Sequence, residues 1–421
     1  MVYERTVLPN GLRVLTAPMP QAQSVSCFLM LAAGSRYETR EQSGIAHFAE
    51  HMFFKGTERR PTAKAISTEI DNLGGEFNAF TGKEYTGYYV KAAAEHRDAA
   101  LDVLVDMLRH SKFDAEEIDR EKGVIVEEMN MYFDTPRDFI GGVYEQLLYG
   151  DQPLGWDIIG TKETVRAATR ETFQDYIGRW YKPSRVVVGV GGQVGDGLLE
   201  KIGELLGDMP KERTPKPKAV KPHAKGRVKV FEKQSDQAHL VLGVESYPIG
   251  HPDRYALQLL ATVLGTGMSS RLFTEVRERR GLAYYVFGTN HSYTDAGSLY
   301  AQAGVDINRI DLAITTIARE FRKIAEKKVP KAELQKAKNI AKGRLVLGLE
   351  SPQGTIMFGL RREVLEGGAT EPAEVLAGLE AVTADAVQRV AQALLTTDRL
   401  RLAAIGPFGD GTAERFDKLL G

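Results

Sequence analysis

The segment GIAHFAEHMFFKGT carries His47, Glu50 and His51 in the order H-x-x-E-H. On a helix, positions four apart differ by about 40° and share a face, so both imidazoles can converge on one metal ion. Imidazole nitrogens hold Zn2+ at about 2.0–2.1 Å. Glu50, turned within about 100° of both histidines, can reach a water beside the metal without ligating it. The chemistry implied is metal-assisted hydrolysis with a carboxylate base. With 8 histidines in 421 residues, chance gives this spacing in about one chain in a hundred of such composition. The bland alternative is two surface histidines on a polar helix. Ile45, Phe48, Met52 and Phe53 oppose it, because they bury the helix, and buried imidazoles and carboxylate without a partner are costly.

A catalytic zinc site needs a third protein ligand and an open position. His96, His110, His223, His239, His251 and His291 have no suitable spacing. A carboxylate is the better source. DREKGVIVEEMNMYF reads as a helix with Glu121 and Glu128 on one face and Val124, Ile125 and Met129 on its apolar side. Composition alone makes such acids a solvated face.

The elements that must place these residues are mixed. Asn10-Gly11 lies between the β-type runs ERTVL and LRVLTA and predicts a hairpin. Helical patterns run over 42–56, 62–73, 95–110, 115–132, 136–148 and 163–179, with a strand pair over 75–92. Strands in pairs and helices in runs indicate an α+β fold of largely antiparallel sheets. QSVSCFLMLAAGSRYE from Gln23 and SRVVVGVGGQV from Ser184 echo QAHLVLGVESYPIG from Gln237 and DRLRLAAIGPFG from Asp398. Both offsets are near 214 residues, the signature of a domain duplication. The Pro- and Lys-rich stretch 211–227 is expected as an extended, solvated linker between a first domain, 1–210, and a second, 228–421.

Length fits two or three domains, and 43% apolar with 26% charged residues excludes disorder as the main state. Fifty-five basic against 56 acidic residues leave a net charge of −1, so no electrostatic footprint for nucleic acid exists. The single Cys27 permits neither an intrachain disulfide nor a thiolate metal site. Neither a secretory leader nor an apolar run long enough for a bilayer is visible, so cytoplasmic residence without membrane attachment is expected.

HFAEHMFFKGT, followed 77 residues after His51 by Glu128 in VIVEEM, resembles the pitrilysin/insulinase family of zinc peptidases, the inverzincins. The similarity is greatest to the branch of the mitochondrial processing peptidases and their bacterial relatives. GSRYE, GGEFNAFTGKEYTGYY, GWDIIGTKETV and SSRLFTEVRERRGLAYYV follow family landmarks in order over essentially the whole chain. The resemblance implies His47, His51 and Glu128 as ligands of one Zn2+ per chain, Glu50 as general base on a zinc-bound water, and Glu121 as a supporting acid. It implies that Asn78 and Ala79 lie on an edge strand pairing with the substrate backbone, and that Phe54 lines a substrate pocket. Arg277 and Tyr284 match a pair contacting substrate near the scissile carbonyl. Two homologous halves in a clamshell homodimer, enclosing a chamber for peptides or short unfolded polypeptides, are expected. The second half, reading YALQLLATVLG where the motif would fall, is expected to be catalytically inert alone. The competing expectation is a structural or assembly subunit, or a peptide-binding homologue, that kept the fold without peptidase work.

Overall fold

The structure, a computed structural model, describes residues 1–223 and 226–421. Its first sheet is built from β1 (Glu4–Val7), β2 (Arg13–Pro18), β3 (Ser24–Leu31), β4 (Glu76–Thr81), β5 (Thr86–Ala93) and β6 (Val186–Gly192). Their order across the sheet is β1-β2-β6-β3-β5-β4. The second contains β7 (Val228–Glu232), β8 (Ala238–Glu245), β9 (Ala283–Ser292), β10 (Gly297–Val305) and β11 (Arg401–Gly406), ordered β7-β11-β8-β10-β9. From β2 onward the orders match strand for strand, with β1 an extra edge strand of the first sheet: β2 pairs parallel with β6, β7 pairs parallel with β11, and the neighbouring pairs β6–β3 and β11–β8 are antiparallel. The duplication read from the 214-residue offset therefore covers β3 with β8 and β6 with β11, the central strands of the two sheets. The fold is α+β with two sheets packed by helices.

The helices of the first part are α1 (Ile45–Phe53), α2 (Ala63–Asn72), α3 (Arg97–His110), α4 (Ala115–Asp134), α5 (Pro136–Tyr149), α6 (Lys162–Ala167), α7 (Arg170–Trp180) and α8 (Leu198–Leu206). Beyond the linker come α9 (Arg254–Gly265), α10 (Ile310–Glu326), α11 (Lys331–Gly348) and α12 (Pro352–Leu365). The single helix expected over 163–179 is two: Ala168 is extended, and Thr169 starts a new capping box with Thr172. Local side-chain hydrogen bonds to the backbone outcompete one more helical turn there.

The chain forms two compact units, each discontinuous in sequence. One combines Met1–Asn130, Asp157–Lys218 and Val346–Pro372; the other combines Met131–Trp156, Ala219–Leu345 and Ala373–Gly421. The spans 1–210 and 228–421 thus describe where the sheets lie along the chain, while a helix from each span joins the other span's unit. In the first unit, Ile356 and Leu360 of α12 pack on Leu15, Phe28, Met30 and Val187. Gly189 makes this possible, since a Cβ there would lie 2.4 Å from Leu360. In the second unit, Phe139, Ile140, Val143 and Tyr144 of α5 pack with Val241, Ala403 and Ile405.

The expected linker is extended but not free. Within the first unit Arg185 and Arg36 donate to the carbonyls of Pro215 and Lys218; within the second Gln152 exchanges two hydrogen bonds with Lys221. Residues 224–225 of that stretch lie outside the described residues. Among the described residues no helix is long and apolar enough to cross a membrane.

Helix α1 is anchored at both ends. The buried Glu38 carboxyl group, pushed up to about 8 by burial, accepts from the N–H groups of Gly44 and Ala46, each at 2.8 Å, satisfying donors that a helix start leaves orphaned. Just past the other end, Thr57 donates to Asp106 on α3 at 2.6 Å. Asp106, fully buried, also receives Arg59, Arg60 and His110. Burial opposes its ionisation, but these hydrogen bonds win and hold its carboxyl down at about 2. Asp106→Asn should cost about 1–3 kcal/mol, because a buried amide cannot accept from Thr57, Arg59, Arg60 and His110 together, while Arg60 keeps Glu69 and Asp102 as counter-charges. A folded pKa below the unfolded value means the Asp106 contribution is whole above pH ~4 and fades as pH falls from 4 towards 2. Urea unfolding of both proteins across that range measures it; a mutant curve parallel to wild type at every pH would contradict it.

Candidate metal centre

Ile45, Ala46, Phe48, Ala49, Met52 and Phe53 are buried, so α1 is fixed in rotation and turns His47, Glu50, His51 and Phe54 towards one half-buried face. Its N-cap, Gly44, has φ 93°, and a Cβ there would lie 2.6 Å from the carbonyl of Ile159. A side chain would meet both penalties. The two imidazoles face each other with ring centroids 4.7 Å apart.

Helix α4 brings the acids. Glu121 and Glu128 lie two turns apart, and Ile118, Ile125 and Met129 bury the helix. Val124, expected on the apolar side, is 49% exposed, because the buried stripe follows i, i+3, i+4 spacing and passes it by.

His47, His51 and Glu128 each offer a ligand atom, all within 4.8 Å of one another. Glu128 Oε1 is 3.6 Å from His47 Nε2, and its Oε2 is 3.6 Å from His51 Nε2. These gaps are too long for hydrogen bonds. They are close to the ~3.4 Å that separates two ligand atoms on a tetrahedral zinc with bonds of about 2.0–2.2 Å. Burial, then the neighbouring His51, push His47 down to about 4, so near neutrality it is an uncharged imidazole with a lone pair to donate. The donor set fits a divalent metal of zinc's preferences.

Around these three, Glu121 Oε1 lies 2.9 Å from His51 Nδ1, and Lys55 Nζ lies 2.5 Å from its other oxygen. Burial raises the Glu121 pKa, but hydrogen bonds from His51 and Lys55 outweigh it and keep the group below the ordinary carboxylate range. An anionic Glu121 orients the imidazole and leaves Nε2 free for metal. Glu50 receives a 2.5 Å hydrogen bond from Thr81 Oγ1. Burial pushes Glu50 above the usual range; Thr81 and His51 pull it down, and Glu128 raises it. That direction makes the carboxylate a stronger base. Phe54 stacks obliquely near Phe77 and Tyr88, at 5.5 and 6.2 Å between centroids.

Strand β4 ends its sheet, so one side of its backbone is unpaired. Ala79 N–H meets the side-chain oxygen of Asn78 at 2.8 Å instead of a neighbouring strand. The structure therefore gathers His47, Glu50, His51, Phe54, Glu121, Glu128 and the β4 edge within the first unit.

Arg277 and Tyr284 lie in the second unit as a pair of their own. Arg277 sits in a π-helix, Phe273–Glu278, with its guanidinium 4.9 Å from the Phe273 ring centre and 5.6 Å from that of Tyr284. The β9–β10 register places Gly304 opposite Tyr285 and Val305 opposite Ala283, so Tyr284 is the extra residue of a bulge and is 75% exposed. Both irregularities re-aim side chains away from the packed surface. Sequence reasoning missed Thr81, Lys55 and Glu38. Lys55, four after His51, was within reach of helix periodicity; Thr81 and Glu38 carried no such signal.

A family model described as Insulinase (Peptidase family M16) matches residues 13–162, and one described as Peptidase M16 inactive domain matches 167–341. The chain is 38% identical to Uncharacterized zinc protease YmxG of Bacillus subtilis, over 97% of this chain and 99% of that one. It is 35% identical to Uncharacterized zinc protease Rv2782c of Mycobacterium tuberculosis, over 96% and 93%. A protease structure from Helicobacter pylori superimposes with TM-score 0.91 at 23% identity, covering 96% of this chain and 99% of that one. A peptidase M16 inactive domain from Pseudomonas fluorescens gives 0.89 at 19%, covering 97% and 99%. These two likenesses speak to the fold alone.

Zinc at about a hundred times its Kd should stabilise the protein by about 2.7 kcal/mol. The rise in melting temperature on adding zinc to chelated protein should vanish in Glu128→Gln and in His47→Ala. An undiminished rise in either variant would remove that residue from the ligand set.

Proposed function

The chain belongs to the insulinase family of M16 peptidases, and on that footing we propose that it is a zinc-dependent endopeptidase acting on peptides and short unfolded polypeptides. The observation that supports this most is Glu128 set 3.6 Å from the Nε2 of both histidines, on the face that also presents Glu50. His47, His51 and Glu128 would hold the ion. Bound there, zinc supplies Lewis acidity that makes water nucleophilic near neutral pH. Glu50 takes the proton of the attacking water and returns it to the leaving amine, so the carboxylate ends as it began. Thr81 holds that carboxylate in place, while Glu121 and Lys55 hold His51. The open edge of β4 takes the substrate as an added strand, with the Asn78 amide giving up Ala79 N–H to the incoming backbone. Phe54 contributes an apolar wall beside the scissile bond.

In this reading two copies form a homodimer, and the Arg277–Tyr284 pair of one chain meets substrate held at the zinc centre of the other. An exposed phenol beside an arginine offers hydrogen bonds to a developing oxyanion. Helix α9, which follows β8 as α1 follows β3, carries no histidine or carboxylate and so brings no matching ligand pair. A closed chamber selects flexible chains over folded ones. The lone Cys27, buried and with its thiol pushed up to about 12 by burial, fits a cytoplasmic setting where disulfides are not used.

Glu50→Gln should keep its zinc and lose about 100- to 10,000-fold in kcat on a quenched fluorescent peptide. Chelator should abolish wild-type cleavage and zinc restore it. Chelator-insensitive cleavage, or near-normal turnover by Glu50→Gln, would overturn the assignment; zinc binding without any cleavage would identify a non-catalytic subunit. Mixed dimers of Glu50→Gln and Arg277→Ala chains should recover part of the activity that each lacks. Verified heterodimers with none would show that the site is not shared.

A further inference from the structure

One residue of β4 serves both the open edge and the base. Gly82 N donates to Tyr85 O across the β4–β5 turn at 2.8 Å, while Ala79 N stays outside the ladder and meets Asn78 Oδ1. Alternation in an antiparallel pair then turns the N–H and C=O groups of Phe77, Ala79 and Thr81 to the open edge. The side chains of these three share one face, and two of them are seen to reach α1: Phe77 lies against Phe54, and Thr81 donates to Glu50 Oε2 at 2.5 Å. Thr81 therefore offers its backbone to whatever pairs with β4 and its hydroxyl to the carboxylate on α1.

The turn that follows Thr81 is held firmly, whereas the outward backbone groups of Thr81 itself are left to a pairing strand. Just beyond Thr81, Gly82 O and Lys83 O accept from the N–H groups of Ser35 and Arg36, and Arg36 forms a buried 2.6 Å ion pair with Glu84. Gly34 is pressed so closely on this turn that a Cβ would lie 2.2 Å from Gly82 O. A few residues on, Glu38 holds the start of α1. The far end of β4 and the near end of α1 are thus fastened to one short segment, and the Thr81 hydroxyl ties the strand directly to the base.

We propose that Thr81 is a positioning residue that couples substrate pairing along β4 to the orientation of Glu50. The inference rests on the peptidase reading above. A peptide long enough to pair past Ala79 onto Thr81 immobilises the residue that aims the base; a shorter one leaves it to fluctuate. Binding energy gained away from the scissile bond then appears in kcat rather than only in KM.

The test is a set of peptides sharing one cleavage sequence and lengthened stepwise along the strand, assayed with zinc-loaded wild type, Thr81→Val and Thr81→Ser. Wild-type kcat should climb with length. Thr81→Val keeps the β-branched shape but has no hydroxyl, and should lose about ten- to a hundredfold in kcat on the longest peptides and a smaller factor on the shortest. Thr81→Ser should recover the length dependence, and zinc affinity by chelator competition should be equal in all three. If Thr81→Val fails to fold by its melting curve, Thr81→Ala takes its place. Equal kcat in the valine variant and wild type, the same fractional loss at every length, or loss that follows zinc release overturns the coupling. A wild-type protein that cleaves none of the series overturns the peptidase reading itself.

Discussion

Three donor atoms within 4.8 Å that cannot satisfy one another set the terms for the first unit. Two imidazoles and a carboxylate, partly withdrawn from water, are held too far apart to hydrogen-bond and close enough to share a metal. Polar groups left unpaired where they are withdrawn from water are unfavourable, so surrounding structure must prevent their relaxation. Glu38 and the Asp106 network fix the two ends of α1, and the apolar side of that helix fixes its rotation. Glu121, with Lys55 behind it, fixes the plane of His51. The buried charges around the site thus serve geometry more than stability, for buried ion pairs are poor sources of net stabilisation.

The duplicated sheet shows what the same scaffold does without that burden. Both sheets place a parallel pair, β2–β6 or β7–β11, beside a central antiparallel strand. Helix α9 follows β8 as α1 follows β3, yet it carries no histidine or carboxylate, and most of it is buried. Freed from presenting ligands, the second unit spends its irregularities elsewhere: a π-helix and a bulge expose Arg277 and Tyr284. Segment exchange accompanies the duplication, α12 covering the first sheet and α5 the second. The glycines of VVVGVGG are small for that reason, since Gly189 and Gly191 lie under α12.

Much of this was legible in the residues. H-x-x-E-H spacing places three groups on one helix face whatever surrounds it, and seven-residue spacing stacks Glu121 and Glu128. The 214-residue echo reports shared strands because buried central strands are long apolar runs that tolerate little change. Val124, the break at Ala168 and the tied linker were not legible in the same way. Each depends on what a neighbouring element covers or on a capping bond that competes with periodicity. Thr81 shows the limit most clearly: a strand threonine is ordinary until its hydroxyl is seen 2.5 Å from Glu50.

The sequence by itself determined the groups available for chemistry: two imidazoles and a carboxylate on one helix face, two acids on another, a single thiol, and a strand pattern that occurs twice. Those follow from residue type and from helix and strand periods, which are local. Only the tertiary structure decided which acid faces the histidines and which stands behind them, that Lys55 and Thr81 hold the working groups, and that each sheet is covered by a helix from the other span. Such facts depend on distances between segments tens to hundreds of residues apart. They are set by packing and by the satisfaction of buried polar groups, not by any local preference.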